Sequence, residues 1–285
     1  MKTTNINQEA KAKHFLSLHK NDKLLLLPNV WDPIGARILQ AKGFPAVATA
    51  SAAISSSLGY KDGEKIKYST HLEIIKRIVD SVDIPVTADI ESGYASDLFK
   101  LKENINLLLD TGAVGINLED SIGKEGNLRN IDEQAERISA VRETAEKRGI
   151  HLVINARTDC YLRKGDKVSD ELISEAIKRA EAYIKAEADC FYPVGILDLE
   201  TVKTLRKEIK YPINILGFAR SVPLKTLQEI GINRVSFGPF IFRSLLKKFS
   251  DIVDEISGLG SYDSFGKNAF SFDEMQKFLR EEKEM

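Results

Sequence analysis

The chain has 285 residues, 43% hydrophobic and 29% charged, with 41 Lys and Arg against 42 Asp and Glu. That balance removes the electrostatic case for nucleic acid or an anionic membrane surface, both of which need a concentrated basic face. Two cysteines, Cys160 and Cys190, are too few for a disulfide framework or a zinc cluster. The opening MKTTNINQEAKAKHF lacks an apolar signal core, and runs such as Leu24 to Leu27 are far too short to span a bilayer, so a soluble cytoplasmic protein is expected.

A polar leading helix is predicted over 1–21. Eight short apolar runs follow, at 24–30, 46–50, 85–90, 115–119, 152–157, 189–194, 212–216 and 234–238, as expected of parallel strands buried on both faces. Amphipathic stretches lie between them, most clearly at 71–81, 97–111, 132–148 and 171–186. In the first of these Leu72, Ile75, Ile78 and Val79 recur at helical spacing. Gly43, Gly112, Gly149 and Gly231 each end a helical segment just before a strand, where a left-handed cap is easiest for glycine. Eight βα units close a barrel. The competing doubly wound sheet would usually carry a glycine-rich turn after its first strand, and here that turn reads Asn29-Val-Trp-Asp-Pro33. The chain therefore reads as one α/β domain over 1–285, a (β/α)8 TIM barrel with an additional C-terminal helical segment at 250–285. That segment carries Phe265, Phe270, Phe272 and Phe278, and it packs either on another subunit, the favoured reading, or back on its own barrel.

In such a barrel the chemistry collects at the C-terminal strand ends, here Trp31-Asp32, Ser51, Asp89-Ile-Glu91, Glu119-Asp120, Arg157-Thr-Asp159 and Asn214. Asp89 and Glu91, two apart on a strand end, can face the mouth together beside Glu119. Converging carboxylates repel unless protonated or bridged by a cation. Oxygen ligands without His or Cys point to Mg2+, or Mn2+, although a D-x-E pair can equally cap a helix. Arg157 suits a bidentate grip on a substrate carboxylate; pairing with Glu119 or Asp159 is its structural alternative, and the two can coexist. Ser51 opens a run of small residues whose backbone N–H groups suit a carboxylate or oxyanion, or simply a tight turn. His14, His19, His71 and His151 all lie away from strand ends and read as surface or packing residues. The polar loop 121–130 reads as a lid or as a plain solvated loop. It offers Lys124, Asn127 and Arg129 to a phosphoryl or carboxylate group.

At Pro28-Asn-Val-Trp-Asp32, Ala48-Thr-Ala-Ser51, Leu58-Gly-Tyr-Lys-Asp62, Thr87-Ala-Asp-Ile-Glu-Ser-Gly-Tyr94, Gly115-Ile-Asn-Leu-Glu-Asp120 and Asn155-Ala-Arg-Thr-Asp159 the sequence resembles the isocitrate lyase/phosphoenolpyruvate mutase superfamily, over about residues 22–245. The resemblance implies a barrel whose final helix is exchanged between subunits of a dimer or tetramer. It also implies a Mg2+ site at Asp89 and Glu91, with Glu119 helping through water. Ser51 and Ala52 match the backbone that holds the substrate carboxylate, Asp62 an aspartate near the reacting atom, and Arg157 the substrate-binding arginine. The shared chemistry is a P–C or C–C bond made or broken beside an α-oxo acid, through a pyruvate enolate. The lid departs from the C–C lyases, whose Lys-[Lys/Arg]-Cys-Gly-His supplies a proton-donating cysteine. Here it reads Gly123-Lys-Glu-Gly-Asn-Leu-Arg129, and Val194 stands where methylisocitrate lyases place a glutamate.

Three functions follow. The first is a phosphonomutase-like enzyme acting on a phosphonopyruvate- or carboxyphosphonoenolpyruvate-type substrate, with Asp62, Lys124, Asn127 and Arg157 as its catalytic groups. Trp31, Ser51, Ala52, Tyr60, Asp89 and Asn214 join Arg157 in holding that substrate. The second is a C–C lyase or decarboxylase on a malate- or oxaloacetate-like acid, with Tyr60 or Tyr94 as proton donor. The third is a non-catalytic α-oxo acid binder. All three predict a homo-oligomer with a small-molecule ligand.

Overall fold

The computed structural model describes residues 2–21, 23–123, 127–162, 169–196, 198–258, 260–267 and 269–279. Its framework is eight parallel strands. β1 runs as two pieces, Leu25–Leu27 and Asn29–Val30, interrupted at Pro28, which has no N–H to give a ladder. Then come β2 (Val47–Thr49), β3 (Val86–Asp89), β4 (Gly115–Glu119), β5 (Val153–Thr158), β6 (Cys190–Pro193), β7 (Asn214–Leu216) and β8 (Arg234–Ser236). Each pairs in parallel with its neighbours in sequence. β6 meets β7 through a bridge between Phe191 and Ile213, and β8 returns to β1 with Leu25 opposite Arg234, closing the barrel. The break in β1 lets its first piece pair with β8 and its second with β2.

The helices between strands are α2 (Pro33–Ala41), α3 (Ser51–Ser57), α4 (Tyr68–Ser81), α5 (Leu98–Leu109), α6 (Ile131–Lys147), α7 (Asp170–Lys185), α8 (Leu199–Glu208) and α9 (Leu224–Glu229), after a leading α1 (Lys2–Leu18). Asp97, Ser169 and Asp198 cap α5, α7 and α8 by accepting backbone N–H bonds. Gly43, Gly112, Gly149 and Gly231 all take the left-handed conformation expected of them. The expected strands and helices fall within a few residues of the observed ones.

α1 covers the N-terminal end of the barrel. Ala12 and Phe15 are fully buried, and Gln8 donates to the carbonyls of Leu109 and Ala113. His19 lies against Arg234, which is fully buried inside the barrel and also donates to Asn117 Oδ1 at 3.3 Å. At the other end of the chain, α10 (Phe240–Ser257) leads to two short helices, α11 (Asp263–Lys267) and α12 (Phe272–Gln276). Leu245, Phe249, Val253 and Ile256 leave an apolar face of α10 exposed. No helix among the described residues is long and apolar enough to cross a membrane.

Candidate active site

The C-terminal mouth of the barrel gathers acidic groups around one arginine. Asp89 ends β3, and its Oδ2 accepts from both the amide (3.1 Å) and the hydroxyl (2.8 Å) of Ser51, the first residue of α3. The Ser51 amide expected to face a substrate is thus engaged by Asp89. Two residues on, Glu91 adopts φ 55°, a left-handed conformation strained for a glutamate. Its carboxylate accepts from the Glu64 amide at 2.6 Å and from the Tyr94 hydroxyl at 2.9 Å. Glu64 and Tyr94 are themselves left-handed, so three of the four non-glycine residues with positive φ among those described bind one another here. Glu64 closes the knot by accepting from the Ser92 hydroxyl and the Tyr94 amide.

Arg157 stands beside Glu119 in the β4–β5 register. Its Nη1 is 2.9 Å from Glu119, while Nε and Nη2 grip the Asp159 carboxylate at 2.6 and 3.0 Å. Both pairings weighed from sequence are therefore present at once. Burial opposes the guanidinium charge, but Glu119 and Asp159 outweigh it and hold Arg157 firmly protonated. One arginine does not balance the mouth. Burial, then repulsion from Asp62 and Asp89, raises Glu91 to about 7. Burial raises Glu119 well above the usual carboxylate range despite the attraction of Arg157. Residue 62 is largely exposed, yet desolvation of its carboxyl and the nearby Asp89 raise it too.

The remaining predicted residues are dispersed. Trp31 is half-buried and packs edge-on against Phe242 of α10, their ring centres 4.9 Å apart. Tyr60 is 55% exposed, Ala52 half-buried, and Asn127 exposed on the second strand of a small hairpin that pairs Ser121–Ile122 with Asn127–Leu128. Lys124 lies outside the described residues. Asn214 begins β7 rather than ending it, fully buried, and donates to the Ser236 hydroxyl at 3.0 Å. The strand runs on to Leu216, which leaves Asn214 in the barrel interior. Asp32, also at a strand end, caps α2 by accepting from the Gly35 amide.

Sequence reading passed over two contributors, Glu64 and His71, and named a third, Asp120, without giving it a role. Glu64 sits in the loop after α3, and no motif marks it. His71, set aside as a packing residue, is buried in the first turn of α4 with Nδ1 3.2 Å from the Tyr94 hydroxyl. That hydroxyl donates to Glu91, so it accepts from His71, and burial holds the imidazole neutral with its pKa lowered to about 4. Asp120 is fully buried and receives Arg179 Nη1 at 3.1 Å and the Tyr183 hydroxyl at 2.8 Å, fixing the root of the hairpin. Its position after Glu119 was the one available signal.

Among the described residues no group of three or more His, Cys, Asp or Glu side chains is gathered closely enough to hold a metal ion. Asp89, Glu91 and Glu119 thus form no ready-made triad: Glu91 has both oxygens engaged, and Glu119 is paired with Arg157. The oxygen-only donor set and the raised carboxyls nevertheless fit a hydrated divalent cation. Asp89, one oxygen lightly engaged, offers the most available direct ligand.

Known proteins bear on this arrangement. A 2-methylisocitrate lyase of Bacillus subtilis (strain 168) is 28% identical over 252 residues, 85% of this chain and 80% of its own. A Burkholderia cenocepacia J2315 crystal structure, provisionally described as a phosphonomutase, superposes with a TM-score of 0.83 at 34% identity, covering 87% of this chain and 99% of that one. A phosphonopyruvate hydrolase complex with oxalate and Mg2+ shares the fold with a TM-score of 0.82 at 20% identity, covering 94% of each chain. Residues 15–257 match the phosphoenolpyruvate phosphomutase family, and the chain belongs to that family, within the isocitrate lyase/phosphoenolpyruvate mutase superfamily.

Proposed function

We propose that the protein is a Mg2+-dependent enzyme that makes or breaks a P–C bond next to an α-oxo acid, acting on a phosphonopyruvate- or carboxyphosphonoenolpyruvate-type substrate. The observation that carries this reading is the convergence of Asp62, Asp89, Glu91 and Glu119 on Arg157 at the C-terminal mouth. A divalent ion held by Asp89, with Glu91 and Glu119 acting through water, would supply charge stabilisation for an enolate-type oxyanion. With Asp159 on the side of Arg157 and Glu119 at Nη1, the remaining Nη hydrogens are the donors that would orient the substrate acid. Asp62, at the rim, lies near the reacting end. The absence of Cys and His between Ser121 and Asn130 favours phosphoryl over C–C chemistry, since an enolate there finds no lid thiol to protonate it. Asn127 would face the transferred group; Lys124, the other polar residue expected to do so, lies outside the described residues.

The second reading, a C–C lyase or decarboxylase, is favoured by the relatives that act as 2-methylisocitrate lyases. Tyr60 is then the freer proton donor, because the Tyr94 hydroxyl is committed to Glu91. In either case the exposed apolar face of α10 supports a homodimer or tetramer in which that helix packs on, or exchanges with, a second subunit.

The deciding experiment assays phosphonopyruvate, oxaloacetate and 2-methylisocitrate in parallel, with Mg2+ and with chelator. Mg2+-dependent turnover of phosphonopyruvate is the expected result. Turnover of 2-methylisocitrate or oxaloacetate alone would replace the first reading by the second, and oxalate binding without any turnover would leave a non-catalytic binder.

A further inference from the structure

Asp159 stands at the junction between the substrate-binding arginine and the hairpin over the mouth. Its two oxygens chelate Nε and Nη2 of Arg157 at 2.6 and 3.0 Å, and Oδ2 also accepts the Ser121 hydroxyl at 2.6 Å. Ser121 is the first residue of the hairpin stem, paired with Leu128. The backbone on either side is pinned: the Asp159 amide donates to Asp120 Oδ1, and the Arg129 amide donates to the Asp120 carbonyl. Arg179 donates both to Asp120 and to the Arg129 carbonyl, tying the two ends of the hairpin together from below.

A guanidinium has two usable forks, one along its side (Nε with one Nη) and one at its end (both Nη). A carboxylate on the side fork fixes the plane and leaves the end fork directed away from it. Glu119 lies 2.9 Å from Nη1, at the end of the guanidinium rather than across the side fork that sets its plane, so an incoming acid shares the end fork with it. Orientation therefore falls to Asp159, whose own rotamer is held by Ser121.

We propose that Asp159 and Ser121 are positioning residues, which set the plane of Arg157 so that its end fork meets an α-oxo acid or dicarboxylate, and which make ligand affinity depend on a hydroxyl in the hairpin stem. This rests on the reading of Arg157 as the acid-binding group, and the test separates the two. In the full-length protein, the side-chain Nε–H resonance of Arg157, assigned by its loss in Arg157→Lys, reports orientation without any ligand. Titration with oxalate in the presence of Mg2+ reports the acid site.

A slowly exchanging Nε–H is expected in the unmodified protein. Ser121→Ala and Asp159→Asn should both broaden or release it, and should weaken oxalate by about tenfold and about a hundredfold respectively. Ser121→Thr, which keeps the hydroxyl, should restore both properties. A resonance equally protected in Ser121→Ala and Asp159→Asn would overturn the proposal and leave Glu119 as the anchor. If the resonance responds as expected but the unmodified protein does not bind oxalate, the positioning role stands and the functional reading falls.

Discussion

Arg157 is the only cation held against Glu119 and Asp159 among the described residues, and the chemistry of the mouth turns on the shape of its charge as much as on its sign. Arg157→Lys keeps the charge and loses the fork, so oxalate affinity should fall by roughly tenfold to a hundredfold by calorimetry. An unchanged affinity would count against the bidentate grip. Asp89→Ala should abolish Mg2+-dependent oxalate binding while leaving the far-UV dichroism unaltered. The change removes the proposed metal ligand and its bonds to Ser51, not an apolar core contact. The raised carboxyls also predict how the ion-free protein responds to pH. Folded Glu91 keeps its proton up to about 7, whereas the unfolded chain releases it near 4.5, so the stability linked to that proton is lost as pH rises between those values. His71 and His19, lowered to about 4 and about 3, act oppositely until the unfolded imidazoles, half-protonated near 6.5, have lost their charge. The Glu91 contribution is read as a difference: in chelator, the unmodified protein should lose melting temperature relative to Glu91→Gln as pH rises from 5 to 7, and Mg2+ should reduce that loss. A relative gain over the same interval would contradict the crowding of the mouth. The strand-end carboxylates and Arg157 were legible because a parallel barrel sends strand ends to one face. Glu64 and His71 were not, since a loop and a first helical turn reach that face only through backbone conformations no motif announces.

At the scale of elements, the strands could be read closely because burial on both faces makes them short uninterrupted apolar runs, and glycine caps bound several of them. α1 was harder. Its sequence is polar with no clear periodicity, yet it seats two buried side chains where the barrel would otherwise be open. Gly115 shows how tightly. A Cβ there would lie 2.8 Å from the Phe15 ring and 2.8 Å from the Thr87 hydroxyl, although the Gly115 backbone itself is ordinary strand. Gly115→Ala should therefore destabilise by ~1–3 kcal/mol in urea melts, through displacement of α1. Truncating Phe15 to alanine in the same chain should return part of that loss, since it opens the space the methyl needs. The hairpin stem is a further element sequence left undecided. Its polar composition suits a free loop, but Asp120, Arg179 and Tyr183, far apart along the chain, fix its root from beneath.

The whole molecule belongs to a family defined by this barrel, and its surface is unfinished at one place. Leu245, Phe249, Val253 and Ile256 lie along one side of α10, each more than 40% exposed, and Tyr262 and Phe272 beyond it exceed 70%. A contiguous apolar face of this kind marks an interaction surface. Sedimentation should show an oligomer, and Phe249→Glu should shift it towards monomer; a monomeric unmodified protein would return the tail to its own barrel. Trp31 links that face to the mouth, because it packs on Phe242 of the same helix, so weakened assembly should also lower oxalate affinity.

The floor of the barrel has a consequence for how the protein is made. His19 rests on Arg234, 215 residues later in the chain. At ~5–20 residues per second on the ribosome, roughly 10–40 s separate the two partners. Through that interval Phe15 has no finished barrel to enter, and the contact that seats it is among the longest-range in the fold. A chain stopped before β8 would carry an unclosed barrel and an unseated helix together, two apolar surfaces offered at once to chaperones and proteases. The docking of the first helix therefore waits on the last strand of the barrel, and it is complete only once all eight strands have been made.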